Sequence, residues 1–212
     1  MEDVAKAKVF TVRLYSGKYV QINRLTKADI CIEDIAHTLA FKPRFNGNGK
    51  SWYSIAAHSI AVSHIVPPHL KLSALLHDAS EGYLFDIPKP NKELKEFKDI
   101  VELENSIQEL VYDKYFIPVE QRMTSEIKMA DFCELNREWS LCMMSDKLSS
   151  NPKDDEREFI RLFYMYSRYM EKKVITDGTF SRHGRVEKID EEIFRLAKIH
   201  NITEDEIHFS TN

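Results

Sequence analysis

Trp52-Tyr53-Ser54-Ile55-Ala56-Ala57-His58-Ser59-Ile60-Ala61-Val62-Ser63-His64-Ile65-Val66, the pair Pro67-Pro68, and the following run His69 to Tyr83 decide the fold class. Between Ser51 and Leu70 there is no Asp, Glu, Lys or Arg. The same stretch holds His58, His64, His69, four serines and a proline break, each costly in lipid. It reads as two buried helices, 52–66 and 69–83, separated by the prolines, and not as a membrane span.

Working outward, the only strand signal lies upstream. Val9, Phe10, Val12 and Leu14, then Tyr19, Val20 and Ile22, flank Ser16-Gly17-Lys18, the pattern of a short hairpin over residues 8–22. A short helix is expected at 33–41, followed by a loop at 43–50 carrying Asn46-Gly47-Asn48-Gly49. Downstream, helical spacing of apolar residues predicts long helices at 92–115, 119–142 and 154–173, with Pro118 and Pro152 at the approaches to the last two. A polar loop and two further short helices are expected beyond Val174. With only 6 glycines in 212 residues, a β-rich fold of many tight turns is ruled against. The expected class is mostly α, with residues 1–145 as core plus hairpin and residues 146–212 as a helical C-terminal extension packed on it.

Composition narrows the function. Hydrophobic residues make up 43% and charged residues 30%, enough for a packed core. Lys plus Arg number 30 against 34 Asp plus Glu, a net charge of −4, which argues against a protein that coats a nucleic acid polymer. Three cysteines, Cys31, Cys133 and Cys142, are odd in number and widely spaced, so neither a disulfide framework nor a thiolate zinc knuckle is expected. Met1 to Val9 lacks the basic start and apolar run of a leader, and a cytoplasmic location is expected. There is no G-x-G-x-x-G, P-loop or G-x-S-x-G, which sets aside dinucleotide-binding, kinase-like and serine-hydrolase readings.

The residues that suggest chemistry are His58, the adjacent His77-Asp78, and Asp131. Two imidazoles and two carboxylates without thiolate suit a divalent ion such as manganese, cobalt, iron or zinc. His58 follows Ile55 by three positions and precedes Val62 by four, on the apolar face of its helix. Glu81 lies four residues after His77, on the same face if the helix is continuous. Asp131 sits within Ile127 to Phe132, where an acid among core residues calls for a partner or a cation. Taken singly, each has an ordinary structural explanation: a core histidine bonded to a carbonyl, an acid at a helix end, a salt bridge to Arg137 or Lys128.

The order His, His-Asp, Asp along the chain resembles the HD superfamily of metal-dependent phosphohydrolases. Several blocks extend the resemblance: Ile35-Ala36-His37-Thr38-Leu39-Ala40, Arg44-Phe45-Asn46-Gly47, Tyr53 to Ser59, Leu75 to Glu81, and Asp86-Ile87-Pro88-Lys89-Pro90 followed by Lys92. They look like one branch, that of bacterial 5′-deoxynucleotidases and phage-type dATP triphosphohydrolases, and they cover roughly residues 8–140. The resemblance implies an HD-domain helical bundle in which His58, His77, Asp78 and Asp131 ligate the catalytic metal. It also implies that Glu81 and Asp86 manage the attacking water and the leaving group, that Arg44 clamps phosphate, and that Phe45 faces the nucleoside. In related enzymes the last position is often tryptophan.

The resulting expectation is a hydrolase of free (deoxy)nucleotides, with a dNTP triphosphohydrolase reading ahead of a 5′-deoxynucleotidase one. A non-catalytic nucleotide-binding module of the same fold is the alternative from another class. Gly47 and Gly49 would let the loop approach a substrate or simply turn at the surface. His37 is expected to support the site from behind or to pack in the core. Arg182, His183 and Arg185 read as an exposed loop, and Cys133 as pointing away from Asp131. The stripe Phe159, Phe163, Tyr166 and Met170 reads as core or as an oligomer face, and a homo-oligomer is expected.

Overall fold

The computed structural model describes residues 11–176. They are mostly helical, with seven helices and one two-stranded antiparallel hairpin. In the hairpin β1 (Val12–Arg13) pairs with β2 (Tyr19–Val20), Val12 opposite Val20. Gly17 closes the turn at φ +89°, a conformation that glycine adopts without steric cost. The ribbon buries Leu14 and Val20 in the core and is tied through its turn: Ser16 donates from both its backbone N and Oγ to the buried Asp34, at 2.6 and 2.8 Å.

The helices are α1 (Ile32–Ala40), α2 (Ile55–Ile65), α3 (Lys71–Leu75), the single turn α4 (Lys89–Lys92), α5 (Lys98–Lys114), α6 (Ser125–Glu138) and α7 (Pro152–Thr176). One core cluster joins Ile35 and Leu39, Ile55, Leu75 and Leu76, Ile107 and Val111, and Phe159, Ile160 and Phe163. Helix α7 therefore packs against α1, α2 and α3 as part of this core. Of the aromatic stripe, Phe159, Phe163 and Tyr166 are buried core residues. The basic cluster Arg182, His183, Arg185 and the helices expected after it lie outside the described residues. Among the described residues no helix is long and apolar enough to cross a membrane.

A second, smaller cluster, Val62, Val66, Leu70, Ala74, Ile127 and Ala130, holds α6 against α2 and α3. This packing brings residue 131 to residue 58. The first turn of α2 is fixed by Ser54, whose Oγ accepts from the Ala57 N–H at 2.9 Å and donates to Asp155 Oδ2 at 2.6 Å. Ser54 is fully buried, so the same hydroxyl caps α2 and ties it to α7. Ser54→Ala should lower unfolding stability by about 1–3 kcal/mol, the sum of a lost cap and a buried carboxylate with one donor fewer. Urea unfolding followed by circular dichroism checks this, and an unchanged midpoint would show that the cap is dispensable.

Candidate metal centre

The centre begins with a break that the sequence conceals. The expected helix 69–83 stops as α3 at Leu75, and Ala79–Gly82 continues as a tighter 3-10 turn. His77 and Asp78 occupy the junction, so His77 and Glu81 do not share a helical face as expected. No proline or glycine interrupts residues 71–80. The cause is Gln108 of α5, whose Nε2 donates to the Leu76 carbonyl at 2.7 Å and whose Oε1 accepts from the Ser80 N–H at 3.0 Å. Those two groups would bond each other in a continuous α-helix. One side-chain amide inserted between them opens the ladder at His77 and Asp78.

Both imidazoles are oriented by their Nδ1 atoms. His77 Nδ1 lies 2.8 Å from the Ala74 carbonyl, which can only accept, so Nδ1 carries the proton. His58 Nδ1 lies 2.7 Å from Glu138 Oε1. Among the described residues neither Nε2 has an aligned hydrogen-bond partner, and both are buried. They face carboxylates instead. His58 Nε2 is 3.2 Å from Asp131 Oδ1 and 3.7 Å from Asp78 Oδ2, and His77 Nε2 is 3.3 Å from the same Asp78 oxygen. One ligand atom each from His58, His77 and Asp131 falls within 4.8 Å of the others. Burial and Arg44 push the His58 imidazole down, yet Asp131 and Glu138 outweigh them and hold it above its ordinary range. A cation entering between the Nε2 atoms and the carboxylates would replace that proton.

The environment of Asp131 differs from the expectation of an acid embedded in core. Its side chain is 20% exposed, and Met129 and Phe132 on either side are 62% and 54% exposed. Only Ile127 and Ala130 of that segment are buried. Helix α6 lies at the surface, and Asp131 reaches the imidazoles from its edge. Beyond His58, its charged neighbour is Lys89, at 3.7 Å, and not Arg137 or Lys128. Cys133 is exposed, away from the cluster.

Glu138, which the motif reading passed over, is fully buried. Its carboxylate accepts from His58 and, through Oε2, from Nε of Arg44 at 3.2 Å, with Nη2 of the same guanidinium in ion-pair contact at 3.2 Å. A carboxylate behind a metal-binding histidine fixes ring and tautomer. The available signal was spacing: Glu138 follows Asp131 by seven residues, two turns along one face of α6. Arg44 also approaches Asp78, with Nη1 3.8 Å from Oδ2. The next two residues, Phe45 and Asn46, adopt left-handed φ of 56° and 52°, an uncommon conformation for non-glycine residues and strained for a bulky one. Phe45 meets Trp139 edge-on at 6.0 Å between ring centroids. Gly49 faces protein: a Cβ there would lie 2.8 Å from Cys142 Sγ.

Glu81 is buried, and its Oε2 has no hydrogen-bond partner among the described residues. Burial first, then the charges of Asp78 and Asp86, push its carboxyl well above the ordinary range. Burial likewise raises Asp86, against the opposing pull of Arg44. Lys42 donates to the carbonyls of Glu81 and Leu84, pinning the segment that carries both acids. Lys92 pairs with Glu104 at 2.7 Å and is held in its charged form partly by Glu81 and Asp78. His37 lies elsewhere: it stacks on Tyr15 at 3.7 Å and on Phe41 at 4.6 Å, with Nδ1 3.2 Å from Glu156. It joins the hairpin to the bundle.

No family profile matches the chain. Over 127 residues it is 36% identical to the uncharacterized protein YfdR of Escherichia coli K12, an alignment covering 60% of this chain and 69% of that one. Over 115 residues it is 37% identical to an uncharacterized protein of Rhodobacter capsulatus, covering 50% of this chain and 58% of that one.

Two substitutions test the centre. Asp131→Ala should lose bound metal while keeping the helical circular dichroism signal. Glu138→Gln should keep the site's shape but weaken manganese affinity by about 10- to 100-fold, the usual cost of a lost carboxylate behind a ligating histidine. Manganese titration of both purified variants decides the matter, and wild-type affinity in each would remove the cluster from consideration.

Proposed function

The chain belongs to the family of the Escherichia coli protein YfdR, and from this centre we propose that it is a metal-dependent hydrolase of free (deoxy)nucleotides of the HD type. The observation that carries the reading is the pair of buried Nε2 atoms of His58 and His77, unpartnered among the described residues and converging with Asp131 and Asp78. This donor set fits a divalent ion, which His58, His77, Asp78 and Asp131 would hold. When bound, such an ion supplies Lewis acidity and a more acidic water.

The remaining residues divide the work. Arg44 keeps Nε and Nη2 on Glu138, while Nη1, beyond hydrogen-bond distance of Asp78, is the prong left to reach a phosphate oxygen. A divalent ion beside Asp78 would offset the carboxylate charges that raise Glu81, leaving its Oε2 able to orient the attacking water and take its proton. Asp86, whose carboxyl burial raises, passes a proton to the departing 5′ oxygen. Lys89 beside Asp131 and Lys92 near Glu81 and Asp78 add positive charge around the carboxylates. That extra charge suits a polyphosphate and favours a dNTP substrate, hydrolysed to a deoxynucleoside and triphosphate, over a dNMP.

A panel of dNTPs and dNMPs incubated with metal-loaded protein tests this, with triphosphate as the expected product. Phosphate released from dNMPs would assign the 5′-deoxynucleotidase reaction instead, and binding without turnover would assign a non-catalytic module. Glu81→Gln should retain metal and nucleotide but lose roughly 100-fold or more in kcat, as expected for a group acting in the transition state. Arg44→Lys should depress every substrate by about tenfold without changing base preference, since it keeps the charge and loses the planar fork.

A further inference from the structure

We infer that Trp139, rather than Phe45, is the surface on which the substrate's base stacks; the inference rests on the nucleotide reading of the metal centre. Phe45 is partly buried, and two neighbours engage its ring. The Arg44 guanidinium carbon lies 5.5 Å from its ring centroid, and the ring meets Trp139 at an interplanar angle of 80°. Trp139 is 51% exposed, so of the two rings the indole presents the larger open face. An exposed tryptophan beside a buried charge network is costly in water and is repaid when a flat ligand covers it.

Its position matches the chemistry. Trp139 directly follows Glu138, whose carboxylate holds both Arg44 and His58. Arg44 lies over Phe45, and Phe45 abuts Trp139, so the Phe45 ring links the phosphate-side cation to the indole. In a nucleotide the ribose likewise sets the base apart from the phosphate. The wall is also rigid. Trp139–Met143 forms a π-helical turn, an irregularity that redirects side chains at the end of α6. That turn is stitched to the Arg44–Phe45 loop by the Lys50 N–H donating to the Cys142 carbonyl at 2.9 Å and by Lys50 Nζ donating to the Met144 carbonyl at 2.8 Å. The left-handed backbone of Phe45 and Asn46 holds the Phe45 ring between Arg44 and Trp139. Stacking area is larger for a two-ring base, so the platform favours purine over pyrimidine deoxynucleotides.

The chain has 2 tryptophans, which allows a direct readout. In a Trp52→Phe, Glu81→Gln chain loaded with manganese, Trp139 is the sole indole and turnover is suppressed. dATP should quench its emission saturably, whereas deoxyribose 5-phosphate should compete with dATP without quenching. In the otherwise wild-type protein, Trp139→Ala should raise KM for dATP by about tenfold with kcat little changed, and should lower the purine-to-pyrimidine ratio of kcat/KM. Trp139→Phe should restore most of both. Unchanged KM and base ratio in Trp139→Ala, with wild-type protein turning over nucleotides, would overturn the platform and leave the hydrolase reading intact. Hydrolysis of deoxyribose 5-phosphate as efficient as that of dATP would do the same. If metal-loaded wild-type protein neither binds nor hydrolyses any nucleotide, the platform and the reaction fall together.

Discussion

A carboxylate with no exposure to water must be compensated from within the protein, and Glu138 is compensated from two sides. His58 donates to one oxygen and Arg44 to the other, at 2.7 and 3.2 Å. The consequences run through the site. The imidazole is locked with Nε2 facing inward, the guanidinium is held by two of its nitrogens, and α2, α6 and the 44–47 loop share one anchor. Arg44 would not keep its direction on packing alone, since its side chain is long relative to the precision that a binding site requires.

The charge around this anchor is unbalanced. Arg44 feels Glu138, Asp78, Asp86 and Glu81 together, and Asp131 lies on the far side of His58. One guanidinium with a few peripheral lysines leaves an excess of carboxylate in a partly dry space. Burial first, and then the neighbouring carboxylates, push Glu81 and Asp86 up toward their neutral forms. The remaining excess falls on the ring of His58, Asp78 and Asp131. The excess charge that is costly in the free protein would favour a divalent ion between the two Nε2 atoms and the carboxylates.

How much of this was legible in the sequence depended on whether the determining interaction was local. Helices, hairpin and core stripe followed from periodicity, and His58 was correctly set on the apolar face of α2 because Ile55 and Val62 repeat at helical spacing. The break at residues 76–80 could not be read there. Leu72 to Tyr83 is locally a good helix, and it is opened by Gln108, a residue of another helix whose single amide competes for two backbone groups. Glu138 was obscured for a related reason. It makes its contacts with α2 and the 44–47 loop, and only its seven-residue spacing from Asp131 hinted at a shared face. The apolar setting inferred for Asp131 failed because flanking Met129 and Phe132 are exposed, so hydrophobic letters there did not mean burial.

Phe45 and Gly49 show how backbone constraint separates similar-looking loop residues. Read as a string, Arg44 to Gly49 is a flexible substrate loop with two glycines. In three dimensions Gly49 is small because Cys142 Sγ occupies the space its side chain would need. Gly47, at φ +75°, completes a run of three left-handed residues begun by Phe45 and Asn46. Such a run is tolerated only where the surroundings over-determine it. Here the surroundings are Glu138 holding Arg44 on one side and Trp139 meeting Phe45 on the other. The strain in the loop and the burial of Glu138 are thus two parts of one arrangement. The carboxylate fixes the arginine, the arginine fixes the turn, and the turn sets an aromatic corner beside the cluster where a metal would bind.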